Sequence, residues 1–226
     1  LVAGSSLGAM NAVGGYAQFN NPSGISMSSD GSFVLIVDQN NHQIRQLILS
    51  TQVVSLLAGS ISGTSGSSNG IGTNAMFNKP YGIDISSDNS YALFTDKFNN
   101  QIKKIIISTQ EVSLLAGGLT SSTSTTPSPT ASPTLGPGST NGIGSNAQFF
   151  YPFGITFSPD GSFCLIADQN NHQIRKIIIS TQQVSVFAGQ TTSGTTNGIG
   201  SNALFNKPIG IVFSSDQSFA LVLELG

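Results

Sequence analysis

The sequence predicts an all-β fold, a β-propeller of four-stranded blades, and three observations predict it. A Pro-x-Gly-Ile tetrad recurs four times, at Pro22, Pro80, Pro152 and Pro208, with intervals of 58, 72 and 56 residues. An Asn-x-x-Gly element opens 11 residues before each of these prolines, at Asn11, Asn69, Asn141 and Asn197. Between tetrads the apolar runs are short and β-branched, and Gly and Pro recur too often for a helix of ordinary length. Four short strands in a unit of about 40 to 60 residues is the arithmetic of a propeller blade.

The elements follow in order within the first unit. After Gly24-Ile25-Ser26-Met27 comes Ser29-Asp30-Gly31-Ser32, an Asp-Gly hairpin signal whose two central residues are expected at positive φ. Asp160-Gly161 repeats it, and Asp88-Asn89 is compatible. The second strand runs from Phe33 to Val37 and ends at Asp38; Gln39-Asn40-Asn41-His42 turns the chain into a third strand, Ile44 to Leu49. Ser50-Thr51-Gln52 turns it again, and Val53 to Ala58 is the fourth strand, closed by Gly59. The repeat units are 5–59, 60–117, 118–189 and a partial 190–226. Because the 11-residue spacing is constant, the extra length of the third unit lies upstream of Asn141, in a Pro/Ser/Thr-rich insertion over 120–140. That insertion is a loop graft, not a domain.

The segments Asp38-Gln39-Asn40-Asn41-His42-Gln43-Ile44-Arg45 and Asp168-Gln169-Asn170-Asn171-His172-Gln173-Ile174-Arg175 each follow a tetrad. They resemble NHL-repeat β-propellers, named for an Asn-His-Leu signature. The second unit is a variant, with Asn100 where His is expected, and Ile44 and Ile174 stand near the Leu position after an extra Gln. The resemblance covers the chain outside the insertion and implies blades around a channel, most often six. The chain then holds three full repeats plus one partial. It implies no activity, because one fold hosts many functions.

Composition narrows the function classes. Charged residues make up 8% of the chain and the net charge is -2, against roughly 25% charged in an average globular protein. No basic footprint exists for nucleic acid or an anionic membrane, and no apolar run reaches the roughly 18 residues of a spanning helix. Nothing resembling a signal peptide opens the chain, and a single cysteine, Cys164, excludes an intrachain disulfide framework. The charges that remain follow the repeat. Asp30, Asp88, Asp160 and Asp216 share one turn position, and Asp38, Asp96, Asp168 and Glu224 share another. Arg45, Lys103 and Arg175 align, as do His42, Asn100 and His172, so all of these are read as architectural. Asp84, Lys97 and Glu111 are the charges that the repeat leaves unexplained.

Each chemical alternative meets an obstacle. Acid-base catalysis needs two titratable groups in divergent environments, and no such isolated pair stands out. The Asp38/His42 and Asp168/His172 pairs carry ligand-type side chains, but two histidines on different units cannot supply a three-His zinc site. Gly70-Ile71-Gly72-Thr73-Asn74-Ala75 matches a dinucleotide fingerprint, yet Pro80 arrives before the required helix can form. The glycines are read as turn residues, with Phe77, Phe149 and Phe205 plugging between blades. Cys164 aligns with Val34, Ala92 and Ala220, which reads as a core position. No catalytic, cofactor or metal residue is therefore assigned.

The insertion alternates Pro with Ser and Thr, a composition that favours extended chain and O-linked glycan, expected at Thr126, Ser128, Thr130, Ser132 and Thr134. From it and the low charge follows the expected function: a non-catalytic extracellular or cell-surface scaffold or adhesion module with protein or glycan partners. The alternative is a lyase or hydrolase working at a propeller channel, with its catalytic residues partly outside the chain. The ends of the sequence match the fourth strand and the second strand of a unit. This leads to the expectation of a segment about two blades short of a six-bladed ring, or of an oligomer or fibre formed through open edges.

Overall fold

A computed structural model describes residues 2–118, 137–214, 216 and 218–225. The fold is all-β, with antiparallel sheets of the kind that form propeller blades. In the first sheet Pro22–Met27, Phe33–Asp38, Gln43–Ile48 and Val53–Gly59 pair in chain order from the inner to the outer edge. The second sheet repeats this with Ile83–Ile85, Tyr91–Asp96, Gln101–Ile106 and Glu111–Ala116. The third uses Pro152–Phe157, Phe163–Asp168, Gln173–Ile178 and Gln183–Gly189, and Pro208–Phe213 pairs with Ala220–Glu224 in a final hairpin. Among the described residues no strand pairing joins the first sheet to this hairpin.

Two local features differ from the expectation. Each of the first three sheets has five strands rather than four, because a two-residue strand, Ala12–Val13, Gly70–Ile71 or Gly142–Ile143, pairs antiparallel with the outer strand of its own sheet. These residues belong to the Asn-x-x-Gly element. An outer strand left alone would present unpaired N–H and C=O groups, and the connecting loop covers them. The Asp-Gly connections also differ, since Gly31 and Gly161 take positive φ while Asp30 and Asp160 do not. Gly31 N–H donates to Ser28 O at 3.0 Å, closing a turn inside a five-residue connection instead of a two-residue one. The Asp30 carboxylate accepts from Ser32 N–H, which fixes the turn through its side chain.

The core lies between sheets. Leu35, Val37, Ile44 and Leu57 of the first sheet pack with Phe77, Ile83, Ile85, Phe94 and Ile105 of the second unit in one buried cluster. Leu93, Ile102 and Leu115 meet Phe149, Ile155, Ile166 and Ile177 in the next. Phe77 and Phe149 come from the loops before the inner strands and are fully buried, each burial contributing about 1.5 to 3 kcal/mol. The tetrad glycine serves the same stacking. A Cβ on Gly24 or Gly82 would collide with the carbonyl oxygen of Tyr81 or Phe153 in the next unit, and one on Gly154 would lie 2.9 Å from Ile209 O. Inner strands therefore approach more closely than any side chain at this position permits.

Candidate functional site

The second strand of each of the first three units ends at a buried aspartate because several donors converge there. Asp38 accepts from Asn20 N–H at 2.7 Å, from the Asn41 amide at 2.8 Å and from the Arg45 guanidinium at 2.9 Å. Asp168 repeats the set with Phe150 N–H at 2.8 Å, Asn171 at 2.8 Å and Arg175 at 3.0 Å. The asparagine amide also donates to the connecting loop, at Gly8 O and Gly138 O. Each guanidinium continues to the asparagine that opens the Asn-x-x-Gly element, Asn11 Oδ1 at 2.6 Å and Asn141 Oδ1 at 2.8 Å. The recurring Asn thus ties the loop between units to the strand end, a role that its constant spacing signalled without revealing the partner.

The second unit departs from the Arg–Asp pairing of the first and third. Lys103 Nζ donates to Ser67 O at 3.0 Å and Asn69 Oδ1 at 2.9 Å. Among the described residues the ion pairs within contact distance are Arg45–Asp38 and Arg175–Asp168, so Lys103 does not reach Asp96. The single ammonium nitrogen, held at the loop acceptors, does not span to the carboxylate as the two terminal nitrogens of a guanidinium do. Burial pushes the Asp96 carboxyl up to about 7, opposed by the Lys103 charge and by bonds from Asn78 N–H and Asn99. Asp168, which has the guanidinium in contact, lies at about 6 under the same burial.

The His position joins consecutive units. His42 and His172 stand in the left-handed region at φ 57° and 55°, where Asn is equally at home, and Asn100 is at 55°. His42 Nδ1 accepts from Lys79 N–H at 2.9 Å, Asn100 Oδ1 from Tyr151 N–H at 2.8 Å, and His172 Nδ1 from Lys207 N–H at 3.1 Å. His and Asn both place an acceptor on the residue before the next tetrad. Those donor residues, Lys79, Tyr151 and Lys207, are themselves at positive φ, and the bond helps to hold that conformation.

At the same end of the molecule the second unit breaks the repeat. Lys97 and Phe98 replace Gln39 and Asn40 of the first unit and Gln169 and Asn170 of the third, while Tyr81 replaces Ser23. Lys97 Nζ lies 3.9 Å from the Phe153 ring centroid, 5.1 Å from Phe98, 5.5 Å from Tyr81 and 5.8 Å from Tyr151. Tyr81 contacts Phe153 with centroids 4.2 Å apart, and Phe98 contacts Tyr151 at 5.0 Å. Thr95, where the other units have Val37 and Ala167, braces this end: its hydroxyl donates to Phe153 O at 2.7 Å and accepts from Gly82 N–H at 2.8 Å. The lysine was visible in the sequence as unexplained by the repeat. The aromatic residues that surround it were missed, although Phe98 in a polar turn was the available signal.

The remaining candidates have structural surroundings. Asp84 on the inner strand accepts from Ser26 Oγ at 3.0 Å and Phe157 N–H at 2.9 Å, bridging units one and three, and burial raises its carboxyl above the ordinary range. Cys164 is buried beside Phe157, Ile166 and Ile177, and burial pushes its thiol well up, so it carries no thiolate. The fingerprint-like glycines lead into Gly72–Asn74, a single 3-10 turn too short to present a phosphate-binding helix end. Among the described residues no group of three or more His, Cys, Asp or Glu could hold a metal ion. No helix of the described residues is long and apolar enough to cross a membrane. The five expected glycosylation positions, Thr126 to Thr134, lie outside the described residues.

No family model matches the chain. It is 28% identical over 181 residues to NHL repeat-containing protein 2 of Bos taurus, covering 76% of this chain and 22% of that protein. The chain thus spans about a fifth of the length of the curated relatives it matches, 22% for this one. The hydrazine synthase structure from Kuenenia stuttgartiensis superposes with a TM-score of 0.57 at 16% identity, over 95% of this chain and 45% of that one. An auxiliary nutrient binding protein from Bacteroides thetaiotaomicron gives 0.56 at 17% identity, over 92% and 57%. At such identities the structural likeness concerns the fold alone. The relatives bear out the NHL-type resemblance carried by the Asp38–Arg45 and Asp168–Arg175 segments.

Proposed function

We propose that the chain is a non-catalytic interaction module of the β-propeller kind, and that its partner face is the aromatic and lysine cluster joining the second and third units. One observation carries this reading. Lys97 and Phe98, which replace the Gln-Asn shared by units one and three, converge with Tyr81 and Tyr151 at one surface, whereas the buried aspartates are engaged in tying strands to loops. Aromatic rings with a polar rim are what protein-binding surfaces concentrate.

The wider reading sets this module in a six-bladed ring outside the cell, as an adhesive or scaffold part of a larger glycoprotein. Its support is the low charge and the Pro/Ser/Thr composition of 120–140. Mass analysis of the proteolytic peptide that carries 120–140, taken from the native source, checks the glycan: a mass above that of the bare peptide is expected, and the bare mass would remove it.

The face itself is tested by selecting peptides from a displayed library on the 226-residue chain and retesting them on the variant Lys97→Gln/Phe98→Asn. Both substitutions install residues that units one and three already carry, so the fold is kept. Selected peptides should lose binding to the variant. Peptides that bind both proteins alike, or stoichiometric zinc or calcium in the purified protein, would count against the reading.

A further inference from the structure

The cluster also specifies the chemistry of its partner, an inference that rests on the interaction reading above. Two ammonium groups share one ring: Lys97 Nζ is 5.1 Å and Lys79 Nζ 5.5 Å from the Phe98 centroid. Neither has a carboxylate in contact, since the ion pairs among the described residues are Arg45–Asp38 and Arg175–Asp168. Burial, and then the charge of Lys79, hold the Lys97 ammonium below the ordinary lysine value. Two like charges in partly apolar surroundings repel, and an anion placed beside them would relieve that repulsion and gain charge-assisted hydrogen bonding.

We propose that this cluster binds an acidic peptide segment of a partner protein, with a carboxylate on Lys79 and Lys97 and a neighbouring apolar side chain against Phe98 and Tyr151. A saccharide is disfavoured by the adjacent turn. Two amides there are already paired, Asn21 Nδ2 donating to Gln39 Oε1 at 2.6 Å and Asn40 Nδ2 to Asn20 Oδ1 at 3.2 Å, so these two are not held ready for sugar hydroxyls. Nucleic acid is disfavoured by the net charge of -2 and the isoelectric point near 5.5.

Fluorescence anisotropy provides the test, with a labelled octapeptide alternating glutamate and phenylalanine, its glutamine counterpart, and a heparin-type octasaccharide. The acidic peptide should bind, and its affinity should fall as salt rises from about 0.05 to about 0.5 M. The glutamine peptide, and the acidic peptide on Lys97→Gln/Phe98→Asn, should each bind about tenfold or more weakly. Lack of binding by the acidic peptide, equal binding to the variant, or preference for the octasaccharide would overturn the proposal. Should library selection enrich uncharged peptides that still require Lys97 and Phe98, the interaction face stands and the acidic partner falls.

Discussion

Lys103→Arg should stabilise the protein, and do so more at pH 8 than at pH 5. The second unit already holds the acceptors that Arg45 and Arg175 use in units one and three. Arg45 donates to Asp38, Gln18 O, Met10 O and Asn11 Oδ1, and Arg175 to Asp168, Gln148 O, Thr140 O and Asn141 Oδ1. The corresponding residues around position 103 are Asp96, Met76, Ser68 and Asn69. Lys103 now reaches Ser67 O and Asn69, so the arginine adds bonds to the carboxylate and to Met76 O. A hydrogen bond to a charged group contributes about 1.5 to 3 kcal/mol and a neutral one about 1 kcal/mol, opposed by about 1 kcal/mol or more if the larger side chain strains the site.

The pH dependence follows from the sign of the Asp96 shift. Its folded value, about 7, lies above the ordinary 3.8, so the folded state binds this proton more tightly than the unfolded chain. The stability associated with it is full below 3.8 and is lost as pH rises through about 7. With the guanidinium in contact, as at Asp168, the value should drop toward about 6. The loss then ends earlier, an advantage on the order of 1 kcal/mol above pH 7 that disappears below pH 5. Urea unfolding at pH 5 and pH 8 reads both parts, with a net gain of about 1 to 3 kcal/mol expected at pH 8. Equal changes at the two pH values, or a loss at both, would refute the reasoning.

Asp168→Ala removes the carboxylate from the fully buried Arg175 and should lower stability by about 3 to 5 kcal/mol; full stability in a urea melt would contradict the architectural role. Gly82→Ala drives a methyl group into Phe153 O, so a loss of about 1 to 3 kcal/mol or failure to fold is expected, whereas Gly31→Ala meets open space and should cost about 1 kcal/mol through its φ of 69°. His42→Asn should keep the bond to Lys79 N–H within about 0.5 kcal/mol, while His42→Leu should lose about 1 kcal/mol at pH 8. Burial, and then Lys79, hold the His42 imidazole below 6.5, so its stabilising effect is full above that pH and is lost as pH falls through the folded value. His42→Asn should lack this dependence, which thermal melts from pH 8 to pH 5 would show.

Unit length, the order of the four main strands and the turn positions are legible in the sequence. These depend on local chemistry: β-branched runs, glycine and asparagine at turns, and a proline at or just before each inner strand. The sequence also marked Lys97 as foreign to the repeat. The tertiary structure decided everything that one unit does to the next. The tetrad glycine recurs visibly at 24, 82 and 154, but its necessity comes from the carbonyl oxygen of a strand in the following unit. The Asn-x-x-Gly element looked like a loop and supplies a fifth strand, because the open edge of the outer strand takes it up. Lys103 aligns with two arginines that contact their aspartates, yet reach and geometry send it to Ser67 and Asn69, and Asp96 keeps the backbone bond from Asn78 N–H. The candidate partner face assembles from Lys79, Phe98 and Tyr151, residues distant in the chain that meet because blade stacking, driven by burial of both sheet faces, fixes their separation.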